Sequence, residues 1–353
     1  MRITFCLPDI SKVPMGGYKI IFEYANRLAE RNHDITIVFR SNKVFNRVTK
    51  NKIIKNVVGN IMIKIYPRWF NLNSRVKRIA TPYDDGKTIP DADFIFATAV
   101  TTASFVKQLP ERCGRKCYFV QGFETWIMPE KEVIETYNYG FLNFTISNWL
   151  YDKVKRNTKD QVVCISNPID TKKFYVKQSI EDRNKFALCM LYHEGKHKGV
   201  EHAVEAINIV KNRYPDIVVN VFGVPKRPVF LPNYFKYTEQ ANEIKLLNLY
   251  NRSSIFVCAT IEEGFGLTGA ESMACGCALV STSYSGVLDY AIQDVNSLLS
   301  PVKNSEQLAN NIIRLLEDDE LRFRLARRGS EDIREMSWDN AVSKMENVLR
   351  DSK

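Results

Sequence analysis

The segment at residues 262–282, EEGFGLTGAESMACGCALVST, has residue types that could bind an anionic ligand. The pattern predicts a glycine loop that follows a buried strand and leads into a helix. The free amides and the dipole of a helix N-terminus attract negative charge, and Gly264 and Gly266 let the backbone approach a ligand closely. Glu263 would lie on the loop. Glu271 would lie about one turn into the helix, where a carboxylate could bind a diol.

A purely structural interpretation of the same segment is also available. Thr268 and Glu271 have the spacing of a capping box, in which Thr268 is the N-cap and Glu271 reaches back to its amide. Gly276 would then end the helix. This interpretation accounts for three residues without a ligand, but it gives no role to Glu263 beside two glycines.

The rest of the chain supplies elements that could position this segment. Short β-branched or aromatic runs alternate with helical patterns, and the alternation restarts after the turn at Asn167-Pro168. Strands are predicted at 2–8, 34–39, 93–98, 116–121, 161–166, 186–193, 217–223, 254–260 and 277–282. Helices are predicted at 18–32, 145–157, 198–214, 243–253, 305–317, 319–335 and 337–351, the last with Ser337 as its cap. Two consecutive doubly wound α/β domains with a ligand cleft between them are expected.

Length and composition agree with two soluble domains. The chain has 353 residues, of which 45% are hydrophobic and 25% charged. No apolar run reaches the roughly 18 residues that a membrane span needs. The N-terminus, MRITFCLPDI, does not have the pattern of a signal peptide, so we expect a cytoplasmic protein.

The eight cysteines indicate reduced, structural thiols. Cys113 and Cys117 form a close pair, and so do Cys275 and Cys277, but neither has a second pair at zinc-finger spacing. His193 and His197 are four residues apart, yet no suitable carboxylate accompanies them beyond Glu194. We therefore expect no metal site and no cofactor.

The positive charge lies in the first half of the chain. Residues 1–168 contain 26 Lys and Arg against 15 Asp and Glu, and the remainder contains 24 against 25. Eleven basic residues and no acidic one lie between Asp34 and Asp84. They are Arg40, Lys43, Arg47, Lys50, Lys52, Lys55, Lys64, Arg68, Arg75, Lys77 and Arg78. This asymmetry predicts an anionic partner for the first half.

Residues 52–65, KIIKNVVGNIMIKI, form a basic amphipathic pattern followed by YPRWF. Ile53, Ile54, Val57, Val58, Ile61, Met62 and Ile65 share one helical face. Such a segment with nearby aromatic residues suits an anionic membrane surface, and region 40–78 is the candidate for peripheral membrane binding. The alternative, which we favour for the apolar residues, is that they are buried in the first domain. No nucleic-acid-binding motif is present, so nucleic acid is not an expected partner.

The segment EGFGLTGAESMACGCALVSTSYSGVLDYAIQDVNSLLSPV resembles the donor-site signature of retaining glycosyltransferase family 4, which has the GT-B fold. The resemblance continues through YNRSSIFVCAT before it and SEQLANNIIRLLEDDELRFRLARRG after it. MLYHEGKHKG and YFVQGFETW resemble a subgroup of bacterial surface-polysaccharide transferases. The resemblance implies a retaining, metal-independent hexosyltransferase with an acceptor-side domain at 1–168, a donor-binding domain at 169–336, and helix 337–353 packed back on the first.

The resemblance also implies roles for individual residues. Glu263 would contact the hydroxyls of the donor sugar, Glu271 the ribose diol, and Lys198 the diphosphate. The other implied donor-site residues are Gly16, Gly17, Gly223, Thr238, Gly264, Phe265, Gly266, Leu267 and Thr268. Gly223 and Thr238 lie where the family places the base, although a turn glycine and a core tyrosine at Tyr237 explain these positions equally well.

Two positions depart from the family pattern. His193 stands where the family usually has a diphosphate-binding arginine, so either His193 donates a neutral hydrogen bond or Lys196 substitutes. Gln121 stands where many members have a histidine near the sugar, and glutamine cannot act as a general base. Gln121 and Glu124 are either contacts to sugar or acceptor or simply a polar strand end.

The predicted function is transfer of a sugar, with retention, from a nucleotide-diphosphate sugar to a saccharide or lipid-linked acceptor in cell-surface polysaccharide synthesis. One alternative is a non-catalytic GT-B subunit that binds sugar nucleotide or a partner transferase. The departures at His193 and Gln121 suggest it, and the intact Glu263, Lys198 and Glu271 argue against it. A dinucleotide oxidoreductase is disfavoured because PMGGYKI lacks the Gly-x-Gly-x-x-Gly pattern.

Overall fold

The computed structural model describes residues 1–43, 46 and 49–352. The chain divides into two compact units. Unit 1 contains Met1–Ser166 and the C-terminal segment from Ala341 onward, and unit 2 contains Asn167–Asn340. Each unit is built on one parallel β-sheet, with α-helices in most of the connections between strands.

Unit 1 has a seven-stranded sheet in the order β3-β2-β1-β4-β5-β6-β7. All of its strand pairs are parallel. The strands are β1 (Arg2–Leu7), β2 (Asp34–Arg40), β3 (Lys77–Thr81), β4 (Phe94–Ala97), β5 (Arg115–Val120), β6 (Leu142–Thr145) and β7 (Val162–Cys164). Its helices are α1 (Gly16–Glu30), α2 (Lys52–Ile65), α3 (Val100–Gln108), α4 (Glu130–Thr136), α5 (Asn148–Arg156) and α11 (Trp338–Asp351), whose first three residues belong to unit 2.

Unit 2 has a six-stranded parallel sheet in the order β10-β9-β8-β11-β12-β13. The strands are β8 (Ala187–Tyr192), β9 (Val218–Gly223), β10 (Phe235–Glu239), β11 (Ile255–Cys258), β12 (Ala278–Thr282) and β13 (Ser297–Ser300). The helices are α6 (Val200–Arg213), α7 (Glu243–Asn251), α8 (Leu267–Ala274), α9 (Ser305–Glu317) and α10 (Asp319–Arg334).

The central strands are buried on both faces, which explains their continuous apolar runs. Phe5, Cys6 and Leu7 of β1 are all at most 1% exposed, and so are Ile255, Phe256 and Val257 of β11. Parallel sheets flanked by crossover connections require apolar side chains on both faces. These continuous apolar runs are what allowed the strands to be predicted from the sequence.

Most predicted elements are confirmed, and the differences lie at short elements. The predicted helix at 145–157 begins later, at Asn148, because Thr145 ends β6. Strands β3, β6, β10 and β13 and the short helices α3 and α4 were not predicted. Ser337 caps the terminal helix as expected, since its hydroxyl accepts a hydrogen bond from the Asn340 amide at 3.2 Å.

The expectation that the apolar residues of 52–65 are buried is wrong. The segment is a helix, α2, but Ile53, Ile54, Val57, Ile61 and Ile65 are exposed, from 45% for Ile65 to 67% for Ile53. The residues that α2 buries are Lys55, Gly59 and Ile63. Gly59 permits this close packing, because a Cβ there would lie 3.0 Å from the Cβ atoms of both Ala80 and Ser41. The helix therefore packs on its glycine side.

The interpretation of the eleven basic residues also needs correction, since several already have partners within unit 1. Asp84 pairs with both Arg40 and Lys52, and Asp34 pairs with Lys77 at 2.9 Å. The two aspartates that bound the acid-free stretch in sequence therefore neutralise part of its charge in space. Arg47 lies outside the described residues.

Trp69, the tryptophan of the YPRWF segment, packs within unit 1. Its ring packs against Phe22 and Phe70, with centroid distances of 5.6 and 5.9 Å. The eight cysteines are free, as expected, and six of them are buried. Among the described residues, no helix is both long and apolar enough to cross a lipid bilayer.

Candidate functional site

The strand order of unit 2 reverses between β8 and β11. From β8 the chain passes through α6 to β9 on one side, and β11 lies on the other side of β8. In open parallel sheets, ligands bind at such a reversal, beyond the carboxyl ends of the two strands. The loops that follow β8 and β11 therefore form the candidate site.

Backbone contacts hold these two loops together. The carbonyl of His197 accepts a hydrogen bond from the Ile261 amide at 2.8 Å. Gly199 adopts a left-handed conformation, with φ +56°, after the 3₁₀ turn Lys196–Lys198. A Cβ at Gly199 would lie 2.1 Å from the Ala259 carbonyl oxygen. Only glycine allows this approach, and it fixes the position of Lys198 relative to the second loop.

Lys198 and Glu263 meet across the two loops. Lys198 Nζ lies 2.5 Å from Glu263 Oε1. The lysine side chain is 13% exposed and the glutamate side chain 27% exposed, so both remain accessible to a ligand. The pair combines a cation for a phosphate with a carboxylate that can accept hydrogen bonds from hydroxyl groups.

The helix that follows Glu263 begins with an N-terminus that has no side-chain cap. The N-cap of α8 is Gly266, with φ 96°, so the prediction that Thr268 caps the helix is wrong. A Cβ at Gly266 would lie 1.9 Å from the hydroxyl of Tyr284, which makes glycine necessary there. Thr268 is instead within the first turn, where it lines a small cavity together with Lys198.

The predicted loop residues differ in their exposure. Gly264, Phe265 and Gly266 are buried, whereas Leu267 and Thr268 are partly exposed. The Phe265 ring packs on Tyr290 with a centroid distance of 5.0 Å. The side chain of Phe265 is therefore part of the core, and only its backbone could contact a ligand.

Glu271 is buried in the second turn of α8, whose N-cap is Gly266 and not Thr268. It is 5% exposed, and the Tyr250 hydroxyl donates to its Oε2 at 3.5 Å. Burial, together with the nearby Glu271 carboxylate, raises the pKa of Tyr250 well above its usual range, which keeps this hydroxyl a donor. Gly276 ends the helix as predicted. Its amide bonds to Met273 and that of Cys277 to Ser272, the two bonds of a Schellman motif.

His193 has the features of a neutral imidazole. Burial, followed by the charge of Lys198, lowers its pKa. Its Nδ1 accepts a hydrogen bond from the Gly195 amide at 2.9 Å, which assigns the remaining ring proton to Nε2. His197, whose ring lies 5.7 Å away, has a lowered pKa for the same reasons. Lys196 is exposed on the same turn.

Gly223 and Thr238 lie at the carboxyl ends of β9 and β10. Gly223 is a strand residue, so the alternative of a turn glycine is wrong. A Cβ there would lie 2.5 Å from the hydroxyl of Tyr237, and that hydroxyl donates to the Pro225 carbonyl at 2.6 Å. The glycine thus makes room for a partly buried tyrosine, and Thr238 pairs with Phe222 in the sheet.

The remaining predicted residues form a second group within unit 1. Gly16 and Gly17 begin α1, and a Cβ on Gly17 would lie 3.0 Å from Gln121 Oε1. Gln121 Nε2 donates to the Thr98 carbonyl at 3.0 Å. Glu124 Oε2 accepts from the Val100 amide at 2.6 Å, and burial raises the pKa of Glu124 to about 7. These residues follow β1, β4 and β5, around the point where the strand order of unit 1 reverses.

Sequence reasoning missed the residues that support the Glu263 loop from behind. Gly286 lies so close to it that a Cβ would be 2.5 Å from the Glu263 carbonyl oxygen. The Tyr290 hydroxyl donates to the Gly266 carbonyl at 2.8 Å and lies 3.2 Å from the Tyr284 hydroxyl. The segment YSGVLDY contains all three residues, but only the fold shows that it packs on the loop.

Within the described ranges, His, Cys, Asp and Glu side chains do not gather into any group of three or more that could hold a metal ion. The candidate site of unit 2 instead presents a lysine, backbone amides and a neutral imidazole. Independence of metal remains a prediction.

Comparisons with known proteins find similarity to glycosyltransferases. Residues 171–332 match the family model described as glycosyl transferases group 1. An uncharacterized glycosyltransferase of Methanocaldococcus jannaschii is 23% identical over 60% of this chain and 65% of its own length. The capsular polysaccharide biosynthesis glycosyltransferase CapM of Staphylococcus aureus is 20% identical over 71% of this chain and 74% of its own length.

A solved structure matches the whole chain. HepE of Anabaena, crystallised in complex with UDP and glucose, superposes with a TM-score of 0.76 at 14% identity, covering 99% of this chain and all of HepE. The two parallel-sheet units therefore form a GT-B fold, as expected. The match to the group 1 family model covers less than half of the chain, all of it within unit 2. The more specific likeness to family 4 remains a resemblance.

Proposed function

We propose that this protein is a retaining glycosyltransferase that moves a hexosyl group from a nucleotide-diphosphate sugar to a saccharide or lipid-linked acceptor. The observation that carries the proposal is the contact between Lys198 and Glu263 at the strand reversal of unit 2, beside the uncapped start of α8. This arrangement offers a cation, free amides and a carboxylate to one ligand. A diphosphate joined to a sugar matches that combination, because the cation and the amides can bind phosphate and the carboxylate can accept hydrogen bonds from hydroxyl groups.

The chemical task is to stabilise the departing nucleotide diphosphate. Negative charge grows on it as the bond from the anomeric carbon to the phosphate oxygen breaks. Lys198 and the amides at the start of α8 would bind that charge, and preorganised donors of this kind can supply most of a rate enhancement. Nε2–H of neutral His193 would donate a further hydrogen bond. We propose that these groups stabilise the departing diphosphate without a metal ion.

The two glutamates would hold the two ends of the donor. Glu263 would leave Lys198 on binding and accept hydrogen bonds from the sugar hydroxyls. Glu271 would accept hydrogen bonds from the ribose diol. The Tyr250 hydroxyl, which donates to Glu271 Oε2 at 3.5 Å, would orient this carboxylate.

Retention would follow from attack on the same face that the diphosphate leaves. The acceptor hydroxyl forms the new bond to the anomeric carbon while the bond to the diphosphate breaks. Its proton passes to the departing phosphate oxygen. This route needs no nucleophile from the protein and no general base at Gln121, which cannot act as one.

The names of the relatives support the substrate classes. CapM is named for capsular polysaccharide biosynthesis, and HepE was crystallised with UDP and glucose. We therefore propose that unit 2 binds a nucleotide-diphosphate sugar, that unit 1 binds the acceptor, and that the pathway builds a cell-surface polysaccharide on the cytoplasmic side of the membrane.

A thermal-shift screen against nucleotide sugars, followed by donor hydrolysis, tests the proposal. A ligand at 100 times its Kd adds about 2.7 kcal/mol of apparent stability. For the donor found, Glu263→Ala should reduce hydrolysis and transfer about 100-fold or more, the usual effect of losing one preorganised group. Glu306→Ala, at an exposed glutamate on α9, is the matched control and should leave both rates unchanged.

Two results would contradict the proposal. One is binding of nucleotide sugars without any hydrolysis or transfer, which would indicate a non-catalytic subunit. The other is turnover by Glu263→Ala at the wild-type rate. Addition of EDTA to the same assay should not lower the rate, and a loss restored by Mg²⁺ would refute metal independence.

A further inference from the structure

The helix α2 has an inverted distribution of polar and apolar side chains. Helices on the surface of a soluble domain normally bury the apolar face and expose the polar one. In α2 the buried residues include Lys55, whose Nζ donates to the Asn42 carbonyl at 2.5 Å and also to Asn46. The exposed residues are isoleucine and valine. Burial of a lysine and exposure of β-branched residues on one helix requires a specific reason.

The exposed residues form one continuous surface, the α2 apolar face, defined as Ile53, Ile54, Val57, Ile61 and Ile65. At 100° per residue these five positions fall within an arc of about 120°, and at 1.5 Å per residue they extend over about 18 Å. Helix α2 packs on β3, an edge strand of its sheet, so the α2 apolar face points away from the sheet. Contiguous exposed apolar surface of this kind marks an interaction site.

The charges around the α2 apolar face indicate which partner covers it. Helix α2 contains lysines at positions 52, 55 and 64 and no acidic residue. Lys52 is compensated by Asp84. Among the described residues, Lys50, Lys64 and Arg68 are exposed and have no acidic partner within ion-pair distance. The surface is therefore apolar along its length and basic at its ends.

We propose that the α2 apolar face binds the surface of an anionic phospholipid bilayer. A straight apolar stripe can enter the boundary between headgroups and acyl chains, while lysine and arginine at its ends contact lipid phosphates. A lipid surface supplies apolar and anionic groups together, which matches both properties of the face. The proposal does not depend on the donor chemistry of unit 2.

Sedimentation with vesicles tests the proposal. The probe is vesicles of phosphatidylcholine alone and of phosphatidylcholine mixed with phosphatidylglycerol. The protein should bind the anionic vesicles, and binding should fall as NaCl is raised, because salt screens the basic ends. The double variant Ile53→Ser/Ile61→Ser should reduce the partition coefficient about tenfold or more. The double variant Lys64→Gln/Arg68→Gln should reduce the difference in partition coefficient between the anionic and the neutral vesicles.

The matched control is Ile244→Ser. Ile244 is 70% exposed and lies on helix α7 of unit 2, so its substitution removes a comparable exposed isoleucine away from α2. Its vesicle binding should equal that of the wild type. Thermal denaturation should show equal melting temperatures for all variants, since the changed side chains are exposed, and donor hydrolysis without vesicles should be unaffected.

Two outcomes would overturn the proposal. One is vesicle binding that the Ile53→Ser/Ile61→Ser double variant leaves unchanged. The other is absence of vesicle binding together with a concentration-dependent dimer, detected by sedimentation velocity, that the double variant abolishes. That second result would identify another copy of the chain as the partner of the α2 apolar face.

Discussion

The environment of Glu124 predicts that the stability of the protein depends on pH. Burial raises the pKa of Glu124 from 4.5 to about 7, although the Val100 amide donates to it and opposes the change. The folded protein therefore holds this proton more tightly than the unfolded chain. By linkage, the contribution of Glu124 to stability is fully present below about pH 4.5 and is lost as the pH rises to about 7.

We expect Glu124→Gln to remove this part of the pH dependence. The melting temperature of the variant relative to the wild type should rise between pH 4.5 and 7 and become constant above that range. Thermal denaturation at a series of pH values measures the difference. A difference that does not change with pH would show that Glu124 ionises in the folded protein as it does in the unfolded chain.

At the same scale, sequence reasoning drew attention to one residue that lacked a local explanation. Glu263 was singled out because helix capping did not need it, and the structure places it against Lys198. The capping role of Thr268 failed because the decisive contacts are tertiary. The Tyr284 and Tyr290 hydroxyls lie about twenty residues away in sequence, and they require a glycine at 266.

At the scale of elements, the turn at Gly199 positions the site and can be tested by one substitution. Gly199→Ala must place a Cβ in a left-handed conformation and also 2.1 Å from the Ala259 carbonyl oxygen. The conformation alone costs about 1–2 kcal/mol, and the clash must separate the two loops or distort them. We expect a loss of about 3 kcal/mol or more in the free energy of unfolding.

Gly140→Ala separates the two causes. Gly140 also has a positive φ of 75°, but a Cβ there would have no atom within 4 Å. The Gly140→Ala variant should lose only the conformational part of the free energy of unfolding, about 1–2 kcal/mol. Denaturant unfolding of both variants makes the comparison. Equal losses in the free energy of unfolding would contradict this expectation. They would mean that the two loops can move apart at little cost to make room for a Cβ between Gly199 and Ala259.

Strands buried on both faces were predictable because their apolar runs are continuous, as in β1 and β11. The missed strands carry weaker signals. Strand β3 (KRIAT) lies at an edge and begins with two exposed basic residues, while β6 and β13 are only four residues long. Helix α2 was predicted, but its orientation was not, because the sequence shows an apolar face without showing that Gly59 faces the sheet.

At the scale of the whole molecule, the restart of the strand–helix pattern marks two units. The structure divides the chain between Ser166 and Asn167, close to the predicted boundary. The division also assigns the C-terminal segment to unit 1, where Arg31 and His33 both lie 2.7 Å from Glu346. Contacts between residues more than three hundred positions apart leave no signal in composition or periodicity. The expectation of a returning helix therefore rested on resemblance alone.

This connection predicts that truncation after Asn340 destabilises unit 1 selectively. The deletion removes the buried side chains of Val342, Met345 and Leu349. Each contributes about 1.5–3 kcal/mol, so their sum is comparable with the 5–15 kcal/mol that stabilises an ordinary domain.

Calorimetry of the truncated chain should show a lowered or absent transition for unit 1, while the transition of unit 2 keeps its temperature. Three of the four tryptophans, Trp69, Trp126 and Trp149, lie in unit 1, so tryptophan fluorescence can assign the transitions. Glu346→Gln, which removes the ion pairs but keeps the helix, should lower the same transition by a smaller amount. A different result would contradict this prediction. If the truncation lowered only the transition temperature of unit 2, the C-terminal helix would stabilise unit 2 and not unit 1.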